Sequence, residues 1–371
     1  MRDGQATVTG SHGWSSTGLV SGFVLKLARQ STGLTQDQMA ERLQVDVSTV
    51  RGWESGRRPV AAMNTGEFLR VSTRLRRLGA PASTSRNLRE AIEADVVLST
   101  GVGAGPSWVD PDNHPLATSV HRKALTNLIT WPMTGQLPPQ LAEFRPKTPR
   151  RGPSATHPSL TAEERNRFFD HMLTVAERAA HHGEALLRRQ AVYLLGFDNR
   201  PRTADWLRNE WHRAGRRPAG DGITALLEAR SASVALASAG DSSHIHDFVT
   251  TMTGTRAEIA NLNYWAYWIG ELNDEHTDDT FMLTDDTRSW TGIRLLQHLT
   301  QRLSPASPHL PLNLHTLHTL VASRPSLLEL HNGVSSPLGT ALDVLASSDV
   351  LSAVGRDQVA GLHYALRIAN R

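Results

Sequence analysis

"LTQDQMAERLQVDVSTVRGWESGRRP", Leu34 to Pro59, changes the phase of its apolar residues about halfway along and ends in a basic pair. Thr35 followed by Gln38 forms a T-x-x-Q capping box, in which the hydroxyl meets an early backbone N–H and the glutamine reaches back, so a helix should start there. Met39, Ala40 and Leu43 recur at helical spacing on one face, with Glu41 and Arg42 outside it, and Ala40 is small enough for another helix to approach. The pattern breaks at Gln44-Val45. Asp46 reads as the N-cap of a second helix, in which Val47, Val50 and Trp53 share an inward stripe and Ser48, Arg51, Gly52 and Ser55 stay on the other face. Two short angled helices, the second presenting small polar groups, suit a helix-turn-helix, whose first helix crosses a duplex backbone while the second enters a major groove.

Working outward, "SGFVLKLARQSTG" supplies a preceding amphipathic helix with Phe23, Val24, Leu27 and Ala28 directed inward, and "NTGEFLRVSTRLRRLG" a following one through Phe68, Leu69 and Leu75. A four- or five-helix bundle within the first 80 to 100 residues is expected. From Gly22 to Pro59 these residues resemble the lambda-repressor-like helix-turn-helix regulators, the XRE family. The resemblance rests on Arg29, "GLTQDQMA" (Gly33 to Ala40), "STVRGWESG" (Ser48 to Gly56) and "RRP" (Arg57 to Pro59). It implies that Arg29 pairs with Glu54 at the end of the recognition helix, that Gln36 touches a DNA phosphate, and that Val47, Ser48, Arg51 and Gly52 occupy the base-reading positions. Two residues depart from the pattern. Gln44 stands where members usually have glycine, so a left-handed backbone there would cost about 1 kcal/mol, and Gly52 has no side chain for readout.

Arg51 on the groove face can grip guanine O6 and N7 with two parallel bonds, or instead meet a phosphate. Arg57 and Arg58 read as phosphate clamps that position without specifying, or as a solvated basic turn. Thr49 offers a hydroxyl to a phosphate, or is simply a first-turn residue. Arg70, Arg74 and Arg77 read as a solvated face.

The chain of 371 residues exceeds one typical domain. No apolar run approaches the roughly 18 residues of a membrane span, and cysteine is absent, which excludes disulfides and thiolate metal sites. "MRDGQATVTGSHGW" has no apolar block and reads as a flexible leader, so the sequence implies a soluble, cytoplasmic protein without a membrane partner. The net charge of +3 conceals an asymmetry. Residues 1–80 carry 11 Lys and Arg against 6 Asp and Glu, whereas the rest carry 28 against 30, so the polyanion-binding end is the N-terminal one.

Beyond the head, "NLREAIEADVVLSTG" (Asn87 to Gly101) and "SVHRKALTNLITW" (Ser119 to Trp131) read as helices, with "GVGAG" (Gly101 to Gly105) a loop. "GQLPPQLAEFRPKTPRRGPSATHPS" (Gly135 to Ser159) is rich in proline and basic residues and reads as a linker, its "RPKTPRRG" either solvated or tracking DNA backbone. Thr161 and Glu164 form another capping box, and helical segments follow to the C-terminus with almost no strand-like alternation. The expected plan is a leader over 1–20, the helix-turn-helix domain over 21–100, a partly helical connector over 101–159, and a helical dimerisation and sensor domain over 160–371. The fold class is all-α. Consecutive helix pairs suggest a tetratricopeptide-like solenoid, without a fixed-period repeat.

In "NLNYWAYWIGE", Tyr264, Trp265, Tyr267 and Trp268 occupy more than one helix face, so they belong to a core or line a ligand pocket or interface. "NDEHTDDTFMLTDD" lacks the ordered spacing of a calcium loop and reads as a solvated acidic loop. His244 with His246, and His315 with His318, would need distant partners to hold a metal. No catalytic motif appears, so neither an enzyme nor a cofactor or metal requirement is expected. The sequence points to a bacterial transcriptional regulator acting on double-stranded DNA as a homodimer, with a small-molecule, peptide or protein effector as a further partner. The alternative is a protein-interaction scaffold or antitoxin-like partner that binds DNA mainly for autoregulation.

Overall fold

A computed structural model describes residues 15–144, 155–214, 222–252, 255–284, 290–330 and 332–369. The leader over 1–14, the RPKTPRRG stretch of the expected linker, and Asp285 and Asp286 of the acidic loop lie outside the described residues. Among the described residues all regular structure is helical and none is strand, which makes the fold all-α. The chain divides into two compact units, each discontinuous: Met1–Ser107 with Ala124–His171, and Trp108–Lys123 with Met172–Arg371.

The first unit contains α1 (Leu19–Ser31), α2 (Gln36–Leu43), α3 (Val47–Glu54), α4 (Thr65–Arg77) and α5 (Thr84–Ala104). It also takes most of α6 (Lys123–Thr134) and the first half of α7 (Ala162–His182). Its centre is the packing of α1 along α5. Val20, Phe23, Val24, Leu25 and Ala28 of α1 and Leu88, Ala91, Ala94 and Leu98 of α5 are all buried. Each large apolar side chain among them contributes about 1.5–3 kcal/mol through removal from water. Phe23 also meets Trp131 of α6 edge to face, with ring centroids 5.2 Å apart, so residues beyond the expected domain limit at 100 belong to the core of the head.

Several details differ from the sequence reading. On α1, Leu25 faces inward and Leu27 is only half-buried. On α4, Leu69 is 56% exposed and Phe68 half-buried; the inward face is Val71, Ser72 and Leu75, because Leu69 lies about 200° around the helix from Val71. The stretch Gly101 to Ala104 continues α5 and is not loop, and only Gly105 ends it. Gly101 is required there by close approach: a Cβ would sit 2.6 Å from the ring of Phe168 on α7. The Thr161–Glu164 capping box that starts α7 is formed, with the Glu164 N–H donating to Thr161 Oγ1 at 3.1 Å and the Thr161 N–H to Glu164 Oε2 at 2.9 Å.

The second unit contains the remaining half of α7, then α8 (Ala185–Leu195), α9 (Pro201–Ala214), α10 (Gly222–Ser238), α11 (Ser243–Thr251) and α12 (Thr255–Trp268). It closes with α13 (Ile293–Thr300), α14 (Leu310–Ser323), α15 (Ser326–Leu330), α16 (Asn332–Ala346) and α17 (Ala353–Ala369). Arg188 of α8 ties three helices together, at 2.6 Å from Glu210 of α9 and 3.0 Å from Glu228 of α10, all three side chains being almost fully buried. A stacked solenoid lets each repeat touch only its neighbours. Here α14 packs against α11, α12, α13 and α17 around one core, and no tetratricopeptide-like array is identified among the described helices. Part of the acidic loop is also folded in: Asp279 pairs with the buried guanidinium of Arg189, and Met282 is fully buried. Among the described residues no helix is long and apolar enough to cross a membrane.

The start of α1 has no side-chain cap of its own. Asp95, buried on α5, takes over this role by accepting the N–H groups of Val20 at 2.7 Å and Ser21 at 3.0 Å, which intrahelical bonding leaves free. Burial lifts its carboxyl from 3.8 to about 6, against the opposing effect of hydrogen bonds from Ser21 and Val20. The folded state therefore holds this proton more tightly than the unfolded one. Its contribution to stability is complete below about pH 4 and is lost as the pH rises through about 6. Urea midpoints of the parent and Asp95→Asn should diverge in the variant's favour between pH 4.5 and 7; a constant difference across that range would refute the assignment.

Gly22 of α1 lies where α1 crosses the end of α3, and a Cβ there would stand 2.4 Å from the carbonyl oxygen of Trp53 and 3.2 Å from that of Glu54. Both obstacles are backbone. Gly22→Ala should destabilise the first unit by at least about 1–3 kcal/mol, read as a lowered thermal midpoint.

Candidate nucleic-acid interface

The helix-turn-helix is built from local signals that the structure closes in order. Thr35 Oγ1 accepts from the Gln38 N–H at 3.2 Å and Gln38 Oε1 accepts from the Thr35 N–H at 2.9 Å, which starts α2. Its last turn ends with the Val45 N–H on the Ala40 carbonyl at 3.0 Å and the Gln44 N–H on that of Glu41 at 3.2 Å, a Schellman closure. Gln44 accordingly takes a left-handed conformation, φ 58° and ψ 47°, the only non-glycine residue with positive φ among those described. The turn is thus the glycine-type turn, made with glutamine. Asp46 has the extended backbone of an N-cap, but its carboxylate makes no capping bond, and α3 starts on backbone hydrogen bonds from Thr49 and Val50 to its carbonyl.

Val50 and Trp53 of α3 are buried and Val47 is half-buried. The far end of the helix is held by charge. Arg29 of α1 donates through Nε to Glu54 Oε1 at 2.5 Å and through Nη2 to Oε2 at 2.9 Å, and its Nη1 donates to the Leu34 carbonyl at 2.7 Å. Both side chains of the pair are almost completely buried, at 3% and 4% exposure. Gln36 donates through Nε2 to Glu54 Oε2 at 2.8 Å. The residue that the resemblance assigns to a phosphate is therefore tied to the salt bridge. One of its two amide hydrogens is engaged there.

Ser48 and Arg51 are exposed on the outer side of α3 and Thr49 is half-buried. Arg51 stands 3.7 Å from Asp37 of α2 with both side chains open to water, a pairing worth little in water. Gly52 is placed differently from its expected groove position. It is buried, and the stem of Arg58 lies over it: a Cβ on Gly52 would be 3.0 Å from Arg58 Cδ. The Arg58 N–H returns to the Gly52 carbonyl at 2.9 Å, and Arg58 Nη1 donates to Thr49 Oγ1 at 2.8 Å. In this conformation Arg58 and Thr49 form a single polar patch, and Arg58 holds the surface that sequence spacing gives to Gly52. Arg57 is exposed beside it, and Arg70, Arg74 and Arg77 are exposed along α4. The link between Arg58 and Thr49 was missed by the sequence reading, and no sequence signal marks it.

The aromatic quartet lies in the second unit on α12, and all four side chains are buried. Tyr264 stacks on Trp268 at 6.0 Å, Trp268 meets Tyr193 edge to face, and the Tyr267 hydroxyl donates to the Val120 carbonyl at 2.7 Å. Trp265 alone of the four keeps an indole N–H that is buried and unpaired. Among the described residues no three metal-binding side chains come together, and the histidines of α14 are partly buried, His315 lying against Gln358.

The sequence model of a family described as a helix-turn-helix domain matches residues 22–91. No curated protein and no solved structure matches the chain. Residues 22–91 form a helix-turn-helix domain, followed by a long helical region.

Removing one partner of a buried pair leaves the other charge uncompensated. Glu54→Ala should therefore destabilise the protein by about 3 kcal/mol, while the joint replacement Arg29→Met with Glu54→Met should cost less than either single change. Urea unfolding of the three variants checks this; additive losses would mean that the pair does not act as a unit.

Proposed function

We propose that the protein is a sequence-specific transcriptional regulator that reads the major groove of double-stranded DNA with the helix Val47–Glu54. The observation that carries this reading is the division of α3 into a side locked by Val50, Trp53 and the Arg29–Glu54 pair and an outer side that exposes Ser48 and Arg51. Arg51 is the base reader with the reach and donor geometry for guanine, Ser48 and Val47 flank it, and Arg57 with the Arg58–Thr49 patch meets phosphates. Gln36 adds a phosphate contact from the start of α2 through its remaining amide hydrogen. Gly52 contributes close approach of the backbone if Arg58 swings onto a phosphate.

A single head reads only a few base pairs. Two copies placed about one duplex turn apart, about 34 Å, double the contacts and the discrimination, so the protein acts as a homodimer. The long helical region supplies that pairing and receives an effector. On this reading the protein works in the cytoplasm of a bacterium, where it meets its DNA target.

Selection from a random-sequence DNA pool should yield a two-fold symmetric site that binds two chains. On that site Arg51→Ala should lose about 1–3 kcal/mol of binding while its affinity for random DNA barely changes. Arg57→Ala should weaken both alike and reduce the slope of log affinity against log salt by about 1. Equal losses on the selected and random DNA for both variants would remove the distinction between reader and clamp, and failure to enrich any site would remove the regulator reading.

A further inference from the structure

Four arginines are buried among the described residues, and three have carboxylates: Arg29 has Glu54, Arg188 has Glu210 and Glu228, and Arg189 has Asp279. Arg230, on α10, has none. It is 5% exposed, its guanidinium lies 4.1 Å from the ring centroid of Tyr264 and 5.2 Å from that of Trp265, and its Nε has no hydrogen-bond partner. The Trp265 indole N–H beside it is also unpaired. Aromatic faces attract a cation, but they do not accept the in-plane hydrogen bonds of a guanidinium.

More positive charge continues from the same aromatic ring. His298 of α13 lies 5.7 Å from Trp265, centroid to centroid, and its Nε2 is 3.4 Å from Lys123 Nζ. Burial, and then the charge of Arg302, pull the Lys123 ammonium down to about 7. Burial, followed by Lys123 and Arg302, pulls His298 down to about 3, so it is neutral and accepts from the lysine. The Tyr264 side chain supplies Arg230 with one hydrogen bond, but Arg230 Nε and the Trp265 indole N–H stay open; both are donors, and donors cannot satisfy one another. What completes the cluster is an acceptor that carries negative charge.

We propose that this cluster in the second unit binds a small organic anion. Its acidic group, a carboxylate or phosphate, accepts from Arg230 and offsets the charge of Lys123 and Arg302, while its apolar body lies against Tyr264 and Trp265. As the effector site of a regulator it rests on the function proposed above, whereas anion binding itself is measured without DNA.

The test is calorimetric titration of the full chain with benzoate and, separately, with phenyl phosphate, at ionic strength held constant with chloride. Saturable binding of either probe is expected, with affinity at least tenfold lower in Arg230→Gln and about fivefold lower in Lys123→Gln. The two probes distinguish a carboxylate ligand from a phosphate one. Lys123 is only half-buried, so its variant carries the test if Arg230→Gln does not fold. No saturable binding of either probe, or equal binding by the parent and Lys123→Gln, overturns the site. Binding of a probe by a chain that enriches no DNA sequence would leave the site standing and refute only the regulator reading, while Arg51→Ala should bind the probe like the parent.

Discussion

The buried bond between Arg29 and Glu54 is the constraint on which the helix-turn-helix geometry depends. α3 has only eight residues and could not hold its shape in isolation. A glutamate at its last position also opposes the helix dipole, so Glu54 favours the helix only when a cation answers it. Arg29 does this with two nitrogens, and it spends a third on the Leu34 carbonyl that leads into α2. One guanidinium thereby fixes α1, the entry to α2 and the end of α3. The close crossing at Gly22 leaves no room for that arrangement to slide.

Contacts on the outer surface are of the opposite kind. Arg51 with Asp37 is exposed, and Arg58 with Thr49 is a surface hydrogen bond, so each is worth little in water and can be surrendered cheaply. A rigid interior and an exchangeable exterior suit the proposed groove reading, in which the reader must arrive in register and then trade its partners. The second unit inverts the pattern at Arg230, where a buried cation is left without the carboxylate that Arg188 and Arg189 have. A buried charge unpaired by the chain itself is a stability cost that the aromatic faces only partly offset.

Local chemistry was legible in the sequence and tertiary chemistry was not. Both capping boxes, at Thr35 and Thr161, involve residues three apart, and both form. The Arg29–Glu54 pair came from resemblance, since spacing alone gives no reason to join those residues. Asp46 satisfies the sequence rule for an N-cap and makes no capping bond. The continuation of α5 through Gly101 depends on Phe168, far along the chain, so glycine content misled. Spacing alone does not assign Leu69, because a helix face is ambiguous when Phe68, Leu69 and Val71 crowd one turn, and the structure exposes it. Asp95 did leave a trace: a lone carboxylate in the apolar stripe of Ala91, Ala94 and Leu98 needed a partner, and the start of α1 supplies it. The aromatic helix was correctly seen as unusual, but only the structure separates the satisfied Tyr267 hydroxyl from the orphaned Trp265 N–H.

The turn at Gln44 shows how such conflicts are resolved. A left-handed glutamine costs about 1 kcal/mol relative to ordinary backbone, and its exposed side chain returns nothing through packing. The same turn sets the angle at which Met39, Ala40 and Leu43 of α2 and Val50 and Trp53 of α3 are buried together with Val20 and Val24 of α1. Burial of each large member of that set is worth about 1.5–3 kcal/mol, so the packing outweighs the backbone strain several-fold. The Schellman bonds from Val45 and Gln44 reduce it further by satisfying carbonyls that the end of α2 would otherwise leave open. Glycine is therefore a convenience at this position, and the helix-turn-helix survives its absence because the two helices it joins have nowhere else to put their apolar faces.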